Sequence, residues 1–328
     1  GNNDQKIPQF KEMAAEYGIA DTTHSSNAQF FDYDNDGDLD LFIAVNYMDT
    51  KYPNQYFPKV TDGSSPNRDR LYRNDWDETA GHPVFTDVSD NAGIKLDGYS
   101  HSALITDFND DGWLDIYVAN DYITNDLIYI NNQDGTFSEQ AEAYGLADRG
   151  YSTHAAFFDY DKDGDLDMYL LNNWIEKQNP NQLRPKITDG TAPNNDKLFR
   201  NEGVGKNGHP TFKDISKEAG IVYDGYGLGL VIADINKDGW QDIYVANDFI
   251  TNDLMYINKG DGTFVNRIDE FLRHQSYNGM GTDIADYNND GWADIIVLDM
   301  LPEDNKRQKM MLARPNYDRY EMMTGKSL

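Results

Sequence analysis

The chain contains no cysteine among its 328 residues. That removes disulfides, thiolate zinc sites, iron–sulfur clusters and cysteine nucleophiles, and it leaves the redox compartment open. Basic residues are scarce: 28 Lys and Arg stand against 57 Asp and Glu, for a formal charge of -29. Nucleic acid and anionic membrane surfaces need a basic face, so neither is expected as a partner. No apolar run approaches the roughly 20 residues of a membrane span, so no transmembrane segment is expected. No secretory leader is read at the start, where Gly1-Asn2-Asn3-Asp4 reads as a mature or trimmed end. Enough apolar material for a sizeable core is present: 39% of residues are hydrophobic and 13% aromatic.

One segment recurs five times, beginning at Asp32, Asp107, Asp159, Asp234 and Asp286. The spacings are 75, 52, 75 and 52, so the true period is a pair of units, 127 residues long. The flanks keep the same register: Asn120-Asp-Tyr-Ile-Thr-Asn-Asp-Leu-Ile-Tyr-Ile-Asn131 returns as Asn247-Asp-Phe-Ile-Thr-Asn-Asp-Leu-Met-Tyr-Ile-Asn258. Each unit reads as four short strands. One apolar run enters the Asp-rich loop and a second leaves it, as in Asp115-Ile-Tyr-Val-Ala119. A third run, Leu127–Ile130 or Leu254–Ile257, leads to an Asp-Gly turn and a fourth strand from Thr136 or Thr263. The fold class is therefore all-β, a β-propeller of four-stranded blades, forming part of a larger propeller of about seven blades. Residues 1–300 hold the repeats, and 301–328 read as a tail or linker leading to further blades. The alternative is a compact ring closed by pairing the first and last strands. Helical turns are expected at Phe10–Tyr17 and Glu139–Tyr144. The long units carry insertions, Tyr47–Pro66 and Asn173–Pro193.

The loop frame is Asp-x-[Asp/Asn]-x-Asp-Gly-x-x-Asp. Oxygen side chains at positions 1, 3, 5 and 9 converge on one centre, Gly at 6 allows the tight turn, and position 7 offers a backbone carbonyl. Hard oxygen donors suit Ca²⁺ first and Mg²⁺ second. The expected side-chain ligands are Asp32, Asp34, Asp36 and Asp40; Asp107, Asn109, Asp111 and Asp115; Asp159, Asp161, Asp163 and Asp167; Asp234, Asn236, Asp238 and Asp242; and Asp286, Asn288, Asp290 and Asp294. Backbone carbonyls of Asp38, Trp113, Asp165, Trp240 and Trp292 complete the five expected Ca²⁺ shells. The first and third loops carry Asp rather than Asn at position 3, which predicts tighter binding there. An EF-hand is excluded: position 12 is Ile43, Val118, Leu170, Val245 or Val297, where that loop needs Glu.

These loops, the Asn-Asp-Leu-x-Tyr-Ile-Asn strands and the Asp-Gly-Thr-Phe turns resemble the FG-GAP/VCBS repeat of integrin-α-like β-propellers. Leu298-Asp-Met-Leu-Pro-Glu-Asp304 and Arg314-Pro-Asn-Tyr-Asp-Arg-Tyr320 are similar to segments of surface proteins of Bacteroidetes. Together the motifs look like those of bacterial relatives of cartilage acidic protein, which carry an ASPIC/UnbV domain downstream. The resemblance implies a Ca²⁺-bearing propeller that is exported to the cell surface, often as an outer-membrane lipoprotein, with binding rather than catalytic roles. Members of that family are usually longer, which makes this chain an N-terminal part of a larger protein.

No Gly-x-Ser-x-Gly, His-Glu-x-x-His or phosphate-loop pattern occurs, so no catalytic residue is assigned and no enzyme is expected. His82 and His209 occupy equivalent Gly-His-Pro turns, which suits a structural role. Tyr47, Tyr52, Tyr56, Phe57 and Trp174 lie in the insertions, where aromatics either stack on a sugar, anchor a partner or pack onto their own blade. Trp113, Trp240 and Trp292 are expected to pack between blades. The leading expectation is a protein-binding scaffold at the cell surface. A carbohydrate-binding module is the alternative, and a Ca²⁺-dependent polysaccharide-active enzyme ranks third. For the third, Lys306, Arg307, Lys309 and Arg314 form an outlying basic cluster that reads more simply as a linker.

Overall fold

A computed structural model describes residues 10–47, 59–121, 124–174, 186–248, 251–276 and 278–300. The insertion residues Tyr52, Tyr56 and Phe57, and the whole 301–328 segment, lie outside the described residues.

Second strands are short apolar runs such as Leu41-Phe42-Ile43-Ala44-Val45, and β-branched and aromatic residues at that length favour a strand buried on both faces. The first sheet is β1 (Ser25–Phe31), β2 (Asp40–Val45), β3 (Arg70–Asp77) and β4 (His82–Asp87), followed by the helical turn α1 (Ser89–Ala92). The second is β5 (Ser100–Thr106), β6 (Asp115–Asn120), β7 (Leu127–Asn131) and β8 (Phe137–Glu139), followed by α2 (Ala141–Tyr144). The third is β9 (Ser152–Phe158), β10 (Asp167–Asn172), β11 (Lys197–Val204) and β12 (Pro210–Asp214). The fourth is β13 (Gly227–Ala233), β14 (Asp242–Asn247), β15 (Leu254–Asn258) and β16 (Phe264–Asn266), followed by α3 (Ile268–Phe271). The fifth has two described strands, β17 (Gly279–Ala285) and β18 (Asp294–Asp299). All neighbouring strands pair antiparallel in sequence order, the arrangement of propeller blades.

First strands of successive sheets lie side by side, β1 on β5, β5 on β9, β9 on β13 and β13 on β17. Each apolar core is therefore shared between two blades. The core between blades one and two joins Phe31, Phe42 and Leu71 to Ile116, Leu127 and Tyr129. The next joins Tyr117 and Ile128 to Met168, Leu170 and Phe199. Among the described residues, β17 is neither paired with β1 nor packed on it as the other first strands are packed, so the sheets form an open arc. Among the described residues, no pairing of the first and last strands closes a ring.

A recurring glycine sets how closely the blades approach. Gly145 follows α2 at φ 80, and a Cβ there would lie 2.6 Å from the Phe212 carbonyl oxygen in β12 of the next blade. Gly93 and Gly220 meet Phe137 and Phe264 in the same way, at 2.8 and 2.7 Å. Only glycine takes this backbone conformation readily and leaves room for the neighbouring strand. The counterpart after α3 is Leu272, with extended backbone.

Candidate metal loops

Each Asp-rich loop joins the first strand of a blade to the second, so all five lie at one end of the arc. The second strands lead away from the loops, so their far ends, Val45 and Asn172, lie at the opposite end. Position 4 is left-handed in every loop, with φ of 58 to 62 at Asn35, Asp110, Lys162, Lys237 and Asn289. Position 6 is a positive-φ glycine throughout. Lysine is a poorer left-handed residue than Asn or Asp, so two of these positions carry strain. Contacts to the next loop offset it: Lys162 Nζ lies 4.1 Å from the Trp240 ring centre and Lys237 Nζ 3.7 Å from that of Trp292. Trp240 also packs on Gly260, so it sits between blades as expected, whereas Trp292 is 55% exposed.

Backbone N–H groups hold the acidic side chains in place. Position 1 accepts from positions 5 and 6, as when Asp36 and Gly37 donate to Asp32 at 3.2 and 3.0 Å. Asp36 Oδ1 accepts from the Asp38 N–H at 3.1 Å. The position 9 carboxylate does two jobs. Its Oδ2 accepts from position 2, as from the Tyr33 N–H to Asp40. Its Oδ1 accepts from an asparagine N–H in the third strand: Asn74 to Asp40, Asn131 to Asp115 and Asn201 to Asp167 at 2.8 Å, and Asn258 to Asp242 at 2.9 Å.

Position 3 divides the loops into two kinds. In loops two and four its asparagine is satisfied internally. Asn109 Oδ1 accepts from the Asp111 N–H and its amide donates to the Asp111 carboxylate, and Asn236 does the same with Asp238. Asn288 in loop five accepts from the Asp290 N–H. In loops one and three, Asp34 Oδ1 and Asp161 Oδ1 are buried without a hydrogen-bond partner. Ligand atoms of Asp32, Asp34 and Asp40 lie within 4.8 Å of one another, as do those of Asp159, Asp161 and Asp167. Among the described residues, these are the two sets in which three carboxylates converge. Burial pushes Asp34 and Asp161 up from the ordinary carboxylate pKa, and Asp36 and Asp163 beside them push the same way. Burial likewise raises Asp40 and Asp115 to about 7 and Asp167 to about 8.

Sequence reasoning assigned Asp38 and Asp165 only a backbone carbonyl. Their side chains stand outside the two converging sets, yet Asp38 Oδ1 and Asp165 Oδ1 are also buried without a partner. Burial first, and then the loop carboxylates, raise both, Asp165 to about 6. The signal was visible in the alternation of Asp and Trp at position 7. Orphaned buried carboxylate oxygens are costly unless a cation meets them. Loops one and three thus fit a hard divalent cation on the chemistry of their donors. Loops two, four and five place Asp107, Asp111 and Asp115, Asp234, Asp238 and Asp242, and Asp286, Asp290 and Asp294 in the same frame, and each position 3 asparagine oxygen accepts the position 5 N–H.

Elsewhere, His82 stacks on Tyr17 and His209 on Tyr144, both at 4.6 Å, which suits a structural role at their turns. Tyr47 packs against His24, and Trp174 meets Tyr151 edge-on. No described helix is long and apolar enough to cross a membrane.

Residues 107–170 and 234–297 match the FG-GAP-like repeat. Each match runs from the first aspartate of an even-numbered loop into the second strand of the following blade. No curated protein matches the chain. Among solved structures, an Agrocybe aegerita lectin, described for specific recognition of non-reducing terminal N-acetylglucosamine, is similar at 18% identity and a TM-score of 0.42. The match covers 84% of this chain and 60% of the lectin, so the chain spans less than two thirds of that protein's length. At that score the likeness says nothing of site or ligand.

Proposed function

We propose that these FG-GAP-like repeats build a calcium-stabilised β-propeller scaffold that binds another protein at the cell surface and performs no catalysis. The observation that carries the calcium reading is the pair of buried, unpartnered oxygens on Asp34 and Asp161, each within a converging set of carboxylates. Extracellular placement is consistent with weak sites filled only at millimolar Ca²⁺. Export as an outer-membrane lipoprotein, and kinship with the bacterial cartilage-acidic-protein relatives, rest on the Leu298–Asp304 and Arg314–Tyr320 motifs. Metal bound only by the folded chain stabilises it by about 2.7 kcal/mol per site at a hundredfold excess over Kd. EGTA should therefore lower the melting temperature markedly, and an unchanged melt would sink the calcium reading. A pull-down from solubilised cell envelope in millimolar Ca²⁺, eluted with EGTA, tests the partner.

A glycan ligand is the second reading. A groove of about 490 Å³ between blades three and four is lined by Asp161, Arg200, Lys213, Glu218, Asp261 and Thr263. Its polar walls suit a hydroxylated ligand. Binding on a glycan array that is lost in Lys213→Ala would favour it over the protein partner.

A further inference from the structure

The groove between blades three and four contains a cross-strand pair that a sheet ordinarily avoids. Arg200 in β11 stands directly opposite Lys213 in β12, so the two side chains share one face. Like charges in that register repel and destabilise the sheet. Composition does not force them together, because the chain holds 57 acidic residues against 28 basic ones. The repeat supplies a comparison. One 127-residue period earlier, Arg73 in β3 faces Thr86 in β4. Arg73 donates to Asp75 and Arg200 to Glu202, each two residues along its own strand, so both blades satisfy the arginine in the same way. Lys213 is the addition in blade three, and among the described residues it makes no ion pair.

Both cations line the groove, whose volume of about 490 Å³ falls within the roughly 300–1,000 Å³ of small-ligand sites. Its other polar residues are of the opposite kind. Glu218 comes from the turn after β12, and Asp261 from the β15–β16 turn of blade four. Asp261 is kept ionised by the Thr263 hydroxyl and N–H, which donate to it at 2.5 and 3.1 Å. The groove thus offers two cations side by side for an anion, and carboxylate acceptors beyond them for hydroxyl groups.

We propose that this groove binds a uronic acid residue of a polysaccharide, with the sugar carboxylate held between Arg200 and Lys213 and the ring hydroxyls donating to Glu218 and Asp261. This rests on the glycan reading, which it refines by charge. Glu202 takes N–H groups from Nε and Nη2, which leaves Arg200 with donors to spare. Charge-assisted bonds from a guanidinium and an ammonium to one carboxylate are strong. The bound anion also relieves the repulsion between the two cations, whereas a neutral sugar leaves it standing. An acidic peptide is the poorer fit, because its further carboxylates would meet Glu218 and Asp261.

The test titrates the full chain with short oligosaccharides of glucuronic, galacturonic and mannuronic acid, each beside its carboxyl-reduced neutral counterpart. At least one acidic ligand should bind saturably, at least tenfold more tightly than its neutral counterpart, and should weaken as salt rises. Lys213→Thr installs the residue that blade one carries. It should lose at least tenfold in affinity for the acidic ligand while raising the melting temperature of the free chain, because the repulsion is gone. Lys206→Thr removes the same charge in the β11–β12 turn, outside the groove lining, and should leave binding unchanged. Equal binding of acidic and neutral forms would keep the glycan reading and overturn the uronic acid assignment. Binding of no sugar, acidic or neutral, would end both. A triglutamate peptide that binds as tightly as the best acidic sugar would also overturn the assignment, in favour of an acidic peptide. So would a Lys213→Thr chain that melts lower than the parent.

Discussion

Asp34 and Asn109 occupy the same loop position and differ only in one polar atom, yet the difference decides whether the loop is satisfied by itself. The Asn109 amide donates to Asp111, whereas Asp34 Oδ1 has no donor. Asp34→Asn should therefore raise the melting temperature of the metal-free chain and weaken Ca²⁺ binding at that one site by roughly tenfold. Calorimetric titration and a melt in EGTA would show both changes, and a fall in metal-free stability would refute the argument. A second single-atom difference lies in the first blade. Asp126, Asp196 and Asp253 each accept a tyrosine hydroxyl, from Tyr117, Tyr169 and Tyr244. Blade one has Phe42 at that position, and Asp69 Oδ2 is buried without a partner. Phe42→Tyr should supply the donor and stabilise the chain by about 1 kcal/mol in denaturant titration.

Blade-to-blade contact depends on a short turn as well as on the strands. Gly145, after α2, meets the Phe212 carbonyl of the next blade at a distance no Cβ tolerates. Gly145→Ala should cost about 2 kcal/mol or more, from left-handed strain and a shifted β12. The same change at Gly112, where a Cβ would meet nothing within 4 Å, carries the strain alone and should cost less. Equal losses at the two sites would remove the close-approach argument. The third strand is the other element with a double role. Its asparagine holds the metal-loop aspartate, while the aspartate just before it, Asp69 in blade one, accepts the Val45 N–H at the far end of the second strand, so one strand fixes both ends of a blade.

The whole molecule carries a formal charge of -29 and buries many of its carboxylates. Burial raises Asp69 and Asp196 to about 7 and Asp126 to about 8, as it does the loop residues Asp40, Asp115 and Asp167. These folded-state values lie above the unfolded carboxylate value near 4, so the folded chain retains protons that the unfolded chain has released. The stabilisation is complete below about pH 4 and is lost as pH rises to about 8. Stability in EGTA should thus fall between pH 5 and 8, and self-repulsion acts in the same direction. Saturating Ca²⁺ should flatten the curve, because a cation replaces the protons in the loops. Parallel curves with and without Ca²⁺ would mean that the loops do not hold the metal.

Repeat period, strand count, the order of strands in a blade and the acidic frame of the loops were all readable along the chain. Each is set by a few consecutive residues: apolar alternation, a turn-forming Asp-Gly, a glycine that can take positive φ. The turn Glu139–Tyr144 was legible from its Tyr-Gly ending, whereas Ser89–Ala92 and Ile268–Phe271 lack that ending and are too short to show a helical period. Tertiary structure decided what depends on burial and on partners distant in sequence. It left Asp38 and Asp165 with a buried oxygen and no partner, tied Asp40 to Asn74 across the sheet, and separated two loops with orphaned position 3 oxygens from three whose asparagine oxygen accepts a backbone N–H. Among the described residues it also gave the fifth sheet two strands where the others have four. Asp at positions 3 and 7 marked loops one and three along the chain, but hydrogen-bond satisfaction is a property of the assembled surroundings, so only the folded structure showed those oxygens buried without a partner.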